Sequence, residues 1–286
     1  VGFHRYRFPP NIPRYIVFDI GSELGPSEMS DAMARVVSAS EIEGFVENEV
    51  TTRRPKRCRV YFVARFDRAF AHFVGWDASG RIAGLDQTGG KGCGAYVGFA
   101  PEGGGTVQMK VGISFVSAEQ ARANLDTELD HWDFDRVRKE SFEVWNDWLG
   151  VIEVEGGRED QRVKFYTDLW RTLVGGQFMN DVDGRYCDLT GDAPVTRRLP
   201  LDADGRPKYP HINGMDGFWC SQWSLNLLYA LAYPEAMGHA CNFLVDFYRN
   251  GGLIPRGPAA GDYTYVMISA PTTPYLVSAY MKGIRT

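Results

Sequence analysis

The sequence predicts a multidomain chain, β first and α after: an incomplete N-terminal antiparallel β-sandwich, a helical linker, and the first part of a helical toroid. Three observations predict it. Up to about residue 115, apolar residues recur with period two between Gly- and Pro-bearing turns. At Ser117 the period becomes helical. Beyond about residue 160 only helical patterns with loop inserts follow, and strands followed by helices mean segregated domains. The expected divisions are 1–116 (sandwich), 117–159 (linker) and 160–286 (toroid portion). A chain of 286 residues suits one large domain or two ordinary ones.

The elements follow in order. The opening VGFHRYR is strand-like, and 14–20 (RYIVFDI) is apolar on both faces. In 59–66, Val60, Phe62 and Ala64 alternate with Tyr61, Val63 and Arg65. Residues 70–76 and 95–99 are rich in aromatic and β-branched side chains, and in 106–115 Val107, Met109, Val111 and Ile113 alternate with polar or small residues. The glycine-rich stretch 88–94 reads as a sheet-edge loop. It is no phosphate loop, because Lys91 is followed by Gly92 and Leu85 stands where the first glycine belongs. Ser117-Ala-Glu-Gln120 is a capping box. It predicts a helix over 118–130, and a second apolar stripe from Phe134 to Leu149 predicts another. A short strand is expected at 151–154, then a helix over 161–174. Asp181-Val-Asp-Gly-Arg185 and Asp202-Ala-Asp-Gly-Arg206 read as hairpin turns, since Asp-Gly tolerates positive φ. The spacing lacks the glutamate that would close a calcium-binding loop of the helix–loop–helix type. Helices are expected over 221–233, 234–249 and 272–282, with Pro234 in a first turn and Gly251-Gly252 at a left-handed stop.

Composition narrows the function. Net charge is −5, without the basic stripe that nucleic acid requires. No apolar run approaches the roughly 20 residues of a membrane span. Aromatics make up 13%, which fits either a large aromatic core or the flat apolar faces used to bind sugars. Five cysteines show no CxxC pair, and His4, His72, His131, His211 and His239 show no ligand spacing, so no metal site is assigned. No Gly-x-Ser-x-Gly supports serine hydrolase chemistry. The chain begins without Met and stops just after a helical pattern, so it reads as a piece of a longer protein.

Several stretches, in order and spacing, resemble glycoside hydrolase family 92, the calcium-dependent exo-acting α-mannosidases. They are the 111–125 stretch from Val111-Gly-Ile-Ser-Phe to Asn124-Leu125, Asp133-Phe-Asp-Arg136 with Trp145-Asn146, and Phe165-Tyr-Thr-Asp-Leu-Trp170. Asn180-Asp-Val-Asp-Gly-Arg-Tyr186, Gly251-Gly-Leu-Ile-Pro255 and Ser278-Ala-Tyr-Met-Lys-Gly-Ile284 complete the set. The resemblance implies a β-sandwich packed on an (α/α)6 barrel with the active site between them. It implies inversion by a carboxylic acid and a carboxylate base, calcium as cofactor, a mannose-containing glycan as substrate, and an extracellular or periplasmic location. The family's acid lies in a Glu-Gly-Asn stretch, and this chain has none: Glu155-Gly156 continues to Gly157. Acid, base and calcium ligands are all expected beyond the Lys-Gly-Ile marker, so no catalytic residue and no metal ligand is assigned within these residues.

Seven residues are candidate substrate contacts. Trp219 and Trp223 lie four apart and form either a platform for a pyranose ring or core. Gln222 and Asn226 also lie four apart; two carboxamides on an apolar helix need partners, either backbone or sugar hydroxyls. By the resemblance, Asn226 stands where many members carry the Asp of a Leu-Trp-Asp-Thr stretch, which marks a divergent branch. Asp216 is an N-cap or a ligand, Arg256 between Pro255 and Pro258 a fixed guanidinium or a solvated one, and Asp262 a cap or a ligand. The expected function is an exo-acting inverting α-mannosidase, here as a fragment. The alternatives are a non-catalytic carbohydrate-recognition or structural member of the same architecture, and an inverting phosphorylase.

Overall fold

The computed structural model describes residues 1–23, 25, 27–100, 105–266 and 268–285, apart from the side chains of Asn213, Asp216 and Gly217. The chain divides into two compact units, the first running to Phe134 and the second from Asp135 onward, with residues 52–54 grouped with the second.

The first unit is a two-sheet sandwich. Its strands are β1 (Gly2–Arg7), β2 (Arg14–Asp19), β3 (Met29–Ser38), β4 (Glu41–Asn48), β5 (Cys58–Phe66), β6 (His72–Trp76), β7 (Ile82–Gly84), β8 (Gln87–Gly89), β9 (Gly94–Phe99) and β10 (Thr106–Ser114). One sheet has six strands in the order β1-β10-β5-β4-β3-β8, the other four in the order β2-β9-β6-β7. Every strand pair is antiparallel. Period-two alternation puts Ile42, Phe62, Ala64, Phe66, Val107 and Met109 of one sheet against Ile16, Phe73, Val97 and Phe99 of the other. The glycine-rich 88–94 stretch departs from the loop reading, because its start forms edge strand β8 on β3.

Helix α1 (Ala118–Glu128) starts where the period changes. The Ser117 hydroxyl accepts from Gln120 N at 3.2 Å, while Gln120 Oε1 takes no partner, so only half of the capping box forms. Ala121 and Leu125 bury against Val63 of β5. Gly112 of β10 permits this approach: a Cβ there would sit 2.2 Å from Ala121 O. Charged groups then fix the seating. Arg122 donates to Glu41 at 3.0 Å and Glu43 at 2.6 Å, and Arg65 to Glu41 at 2.7 Å and Asp126 at 2.6 Å. Burial pushes the Glu43 carboxyl up, and the guanidiniums of Arg122 and Arg35 outweigh it and hold the carboxyl low.

The second unit is mainly helical. Its helices are α2 (Phe134–Leu149), α3 (Glu159–Leu173), α4 (Leu225–Ala232), α5 (Pro234–Gly251) and α6 (Thr272–Met281), with a 3-10 helix at Asp216–Trp223. Short antiparallel pairs interrupt them: Gln177–Phe178 with Ile212–Asn213, Arg185–Asp188 with Val195–Arg198, and Pro258–Ala259 with Asp262–Tyr263. The 151–154 stretch forms no strand and runs as loop. Both Asp-Gly turns form with left-handed glycines, Gly184 at φ 86 and Gly205 at φ 78. Pro234 opens α5, and Gly252 at φ 78 closes it. The core gathers on α5: Met237, Phe243, Leu244 and Phe247 pack with Ile212, Phe218, Tyr275 and Ala279. All five cysteines are free thiols, and burial pushes those of Cys187 and Cys241 up to about 11. The order is therefore antiparallel sheets before residue 115 and helices afterwards, as the hydrophobic periods predict. No helix of the described residues is long and apolar enough to cross a membrane.

Candidate functional site

The candidate residues sit on two loops and two short helices around α5. After Gly252 the chain runs through Pro255-Arg-Gly-Pro258 into a reversal at Ala260 (φ 52) and Gly261 (φ 79). Gly261 is required by approach as well as by φ, since a Cβ would stand 2.5 Å from Cys187 O. The loop is tied on several sides. Met215 N donates to Pro258 O at 3.0 Å and Leu189 N to Gly261 O at 2.9 Å. Thr264 Oγ1 donates to Gly257 O at 2.5 Å, Thr272 Oγ1 donates to Pro255 O, and Tyr263 OH donates to Leu253 O at 2.9 Å. On this loop Asp262 is buried and Arg256 half-buried. The Met215–Pro258 bond brings the loop to the start of the 3-10 helix. The backbone of Asp216 therefore adjoins the Arg256–Asp262 loop, while its side chain lies outside the described residues.

The expected helix over 221–233 is two helices. The 3-10 segment ends at Trp223, Ser224 turns away at φ −150, and α4 starts at Leu225. The break separates the two amides. Gln222 is exposed on the 3-10 segment, and Asn226 is 4% exposed on α4. The tryptophans still meet, with Trp219 and Trp223 5.7 Å apart at 73°, edge to face rather than as one flat platform. Trp223 is largely exposed. Among the described residues, Asn226 Oδ1 and Ser221 Oγ are buried without a hydrogen-bond partner. A buried polar atom with unmet capacity needs a reason, and an arriving hydroxyl is one.

A second cluster escaped the sequence reading. In the pair Arg185–Asp188 with Val195–Arg198, Asp188 is 3% exposed and accepts from Arg197 Nε at 2.5 Å, Thr190 Oγ1 at 2.7 Å and Thr190 N at 3.0 Å. His211 lies behind the pair, 1% exposed, its ring 3.8 Å from Tyr186 in a stack and 4.9 Å from Phe243 edge-on. Neither ring nitrogen has a partner, and burial lowers its pKa to about 3, against a smaller opposing pull from Asp188. Tyr209 OH donates to Asp246 Oδ2, and burial together with that carboxylate pushes the phenol well up. Only the hairpin register places these groups together. The sequence held no signal for it, since the 181–185 Asp-Gly turn precedes the pair and the 189–194 loop that joins the two strands has no Asn-Gly or Asp-Gly.

The two halves of the chain match two family models. Residues 1–114 match the glycosyl hydrolase family 92 N-terminal domain, and residues 120–286 match the glycosyl hydrolase family 92 catalytic domain. A relative described as an uncharacterized secreted glycosidase of Arthroderma benhamiae is 31% identical over 109 residues, 36% of this chain and 13% of that protein. A solved family 92 α-mannosidase of Bacteroides thetaiotaomicron, in complex with mannoimidazole, has TM-score 0.87 at 19% identity, over 99% of this chain and 36% of that one. A family 92 inverting mannosidase of the same organism has TM-score 0.81 at 22% identity, over 99% and 36%. The chain thus spans about a third of the length of those structures.

Proposed function

The chain belongs to glycosyl hydrolase family 92, and from that premise we propose that it is part of an exo-acting, inverting α-mannosidase of mannose-containing glycans. The matched N-terminal and catalytic family domains carry this reading. We assign 1–116 to the sandwich, 117–159 to a linker and 160–286 to the first part of an (α/α)6 toroid. The secreted relative supports a location outside the cytoplasm. Inversion needs an acid to protonate the leaving oxygen and a base to activate water from the opposite face. Both are placed on residues outside these 286. Calcium is a family expectation whose ligands are expected outside these residues. Among the described residues, no group of three or more His, Cys, Asp or Glu gathers to hold a metal ion.

The role left to this chain is to bind and orient the sugar. The Met215–Pro258 bond joins the backbone beside Asp216 to the loop that carries Arg256 and Asp262. Trp219 and Trp223 offer ring edges and faces, Gln222 an exposed amide, and Asn226 a buried oxygen that a sugar hydroxyl satisfies. Asn226→Ala in the longer enzyme is expected to lower kcat/KM by about 1–3 kcal/mol equivalent, the cost of an unmade buried hydrogen bond. Its melting temperature should move less, because Asn226 Oδ1 makes no hydrogen bond that the substitution would remove. Unchanged kcat/KM in a stable variant rejects the assignment.

The purified chain of 286 residues is expected to release no aryl alcohol from an aryl α-mannoside with calcium added. The longer protein should release mannose with inverted anomeric configuration, read by proton NMR. Turnover by the chain alone, lost on a point substitution within it, refutes the placement of acid and base. Retained configuration refutes the inverting reading.

A further inference from the structure

We propose that the groove between the paired segments Arg185–Asp188 and Val195–Arg198 and the C-terminal end of α5 is an oxyanion site that takes an acidic substituent of a glycan. Naming a glycan rests on the function proposed above; the oxyanion rests on the groove alone. The groove encloses about 500 Å³, within the usual range for small ligands. Arg197, Arg198, Tyr209, Asp246, Arg249 and Asn250 line it.

Its hydrogen-bonding capacity is lopsided. Asp246 is the one carboxylate among the lining residues, and both its oxygens are engaged, Oδ2 by Tyr209 and Oδ1 by Arg249 Nη1 at 3.1 Å. Asn250 Nδ2 is spent on Tyr186 OH at 2.9 Å. Arg198 Nε goes to Asp183 O at 2.8 Å. Among the described residues Arg197 bonds through Nε, to Asp188, which leaves its Nη groups for a ligand. The open donors, on the guanidiniums, outnumber the open side-chain acceptors, the Asn250 amide oxygen and the Thr196 hydroxyl, so the fitting ligand brings acceptors. Three guanidiniums line the groove; their carboxylate partners are Asp188, Asp183 and Asp246, of which Asp246 alone is a lining residue.

The arginine is also held in place. Thr190 fixes Asp188, and Asp188, almost fully buried, fixes Arg197 Nε. The guanidinium plane is thereby set before a ligand arrives, and its outer edge presents a parallel pair of N–H groups. That pair matches two oxygens of a carboxylate, sulfate or phosphate. Ordering such a side chain in advance lowers the entropic cost of binding.

Calorimetric titration of the chain at low ionic strength, with sodium phosphate, sodium sulfate, glucuronate and glucose in turn, tests the site. Saturable binding of the anions, absent for glucose, is expected, weakening as sodium chloride rises. Arg197→Gln and Arg249→Gln should each weaken it about tenfold, the loss of one charge-assisted hydrogen bond. Arg197→Gln uncovers a buried carboxylate and risks the fold. Arg249 is 71% exposed, so Arg249→Gln is the variant that keeps the test decisive. No saturable binding overturns the site, and so does binding unchanged in a folded Arg249→Gln, which would mark an adventitious ion only. Inorganic anions that bind while glucuronate does not would keep the oxyanion site and overturn its assignment to a glycan. Neither result touches the mannosidase reading, which stands on turnover by the longer protein.

Discussion

Lowering the pH from 7 to 4 is expected to destabilise the helical unit by about 3 kcal/mol through His211 alone, and by about 5 kcal/mol once the pH is below 3. The unfolded imidazole titrates near 6.5, and the folded one is held down to about 3. The unfolded state therefore binds the proton first. Stability is full above pH 6.5 and falls as the pH drops from there toward 3. The cause is geometric. The ring is 1% exposed, stacked on Tyr186, edge-on to Phe243, and neither nitrogen has a partner to share a positive charge. Asp188 is the one charge that draws the pKa back up, and it is already committed to Arg197 and Thr190. His211→Phe keeps a flat ring in the stack and removes the titration. Hydrogen exchange of the α5 amides at pH 7 and pH 4 isolates this unit from the sandwich. The wild-type chain should lose protection on acidification far more than the variant. Equal loss in both would assign the acid sensitivity to the carboxylates and remove His211 from the account.

The strands that could be read in advance are those with large side chains on the core face. β5 carries Phe62, Ala64 and Phe66 inward, and β10 carries Val107 and Met109. β3 and β4 were not read, although they form a long hairpin in the middle of the six-stranded sheet. Their alternation is muted because Ala32 and Ala34 fill core positions on β3, and Gly44 of β4 has no room for a Cβ, which would lie 1.9 Å from Met33 O. The buried Glu41 and Glu43 read as solvent-facing until Arg122 of α1 arrives from 79 residues or more away. A hydropathy pattern has no access to a partner that distant. The same limit governs the candidate site. Trp219 and Trp223 were paired correctly by spacing, since local contacts survive a change from α to 3-10 geometry. Gln222 and Asn226 were not, because the turn at Ser224 rotates one away from the other. Asp188, Arg197 and His211 meet only once three separate backbone pairings are in place, so residue type alone gave no hint of them.

Phe243→Ala is expected to cost about 3–5 kcal/mol and to uncouple the two units in a melting experiment. Phe243 is fully buried near the middle of α5, where its ring lies 5.7 Å from Phe247 and 4.9 Å from His211. Two groups of elements converge on it. Ile212, Phe218 and Tyr275 bring in the strand before the 3-10 helix, the 3-10 helix itself and α6, and His211 brings in the hairpin with Asp188. A cavity at this point has aromatic rings on several sides, and stacked rings cannot collapse into it without giving up their mutual contacts. The loss should therefore lie near the top of the range for this type of substitution. It should also reach the loops proposed to bind the sugar, since the 3-10 helix with Trp219 and the loop with Asp262 rest on this core through Phe218 and Tyr263. The sandwich has its own core of Phe62, Phe66, Val97 and Val107. Hydrogen exchange on Phe243→Ala should show lost protection in α5 and α6 with β5 and β10 unchanged. Phe243→Leu, which refills most of the volume, should recover more than half of the loss. Equal loss of protection in both units would mean that they unfold as one, and would overturn the separation of cores on which the expectation rests.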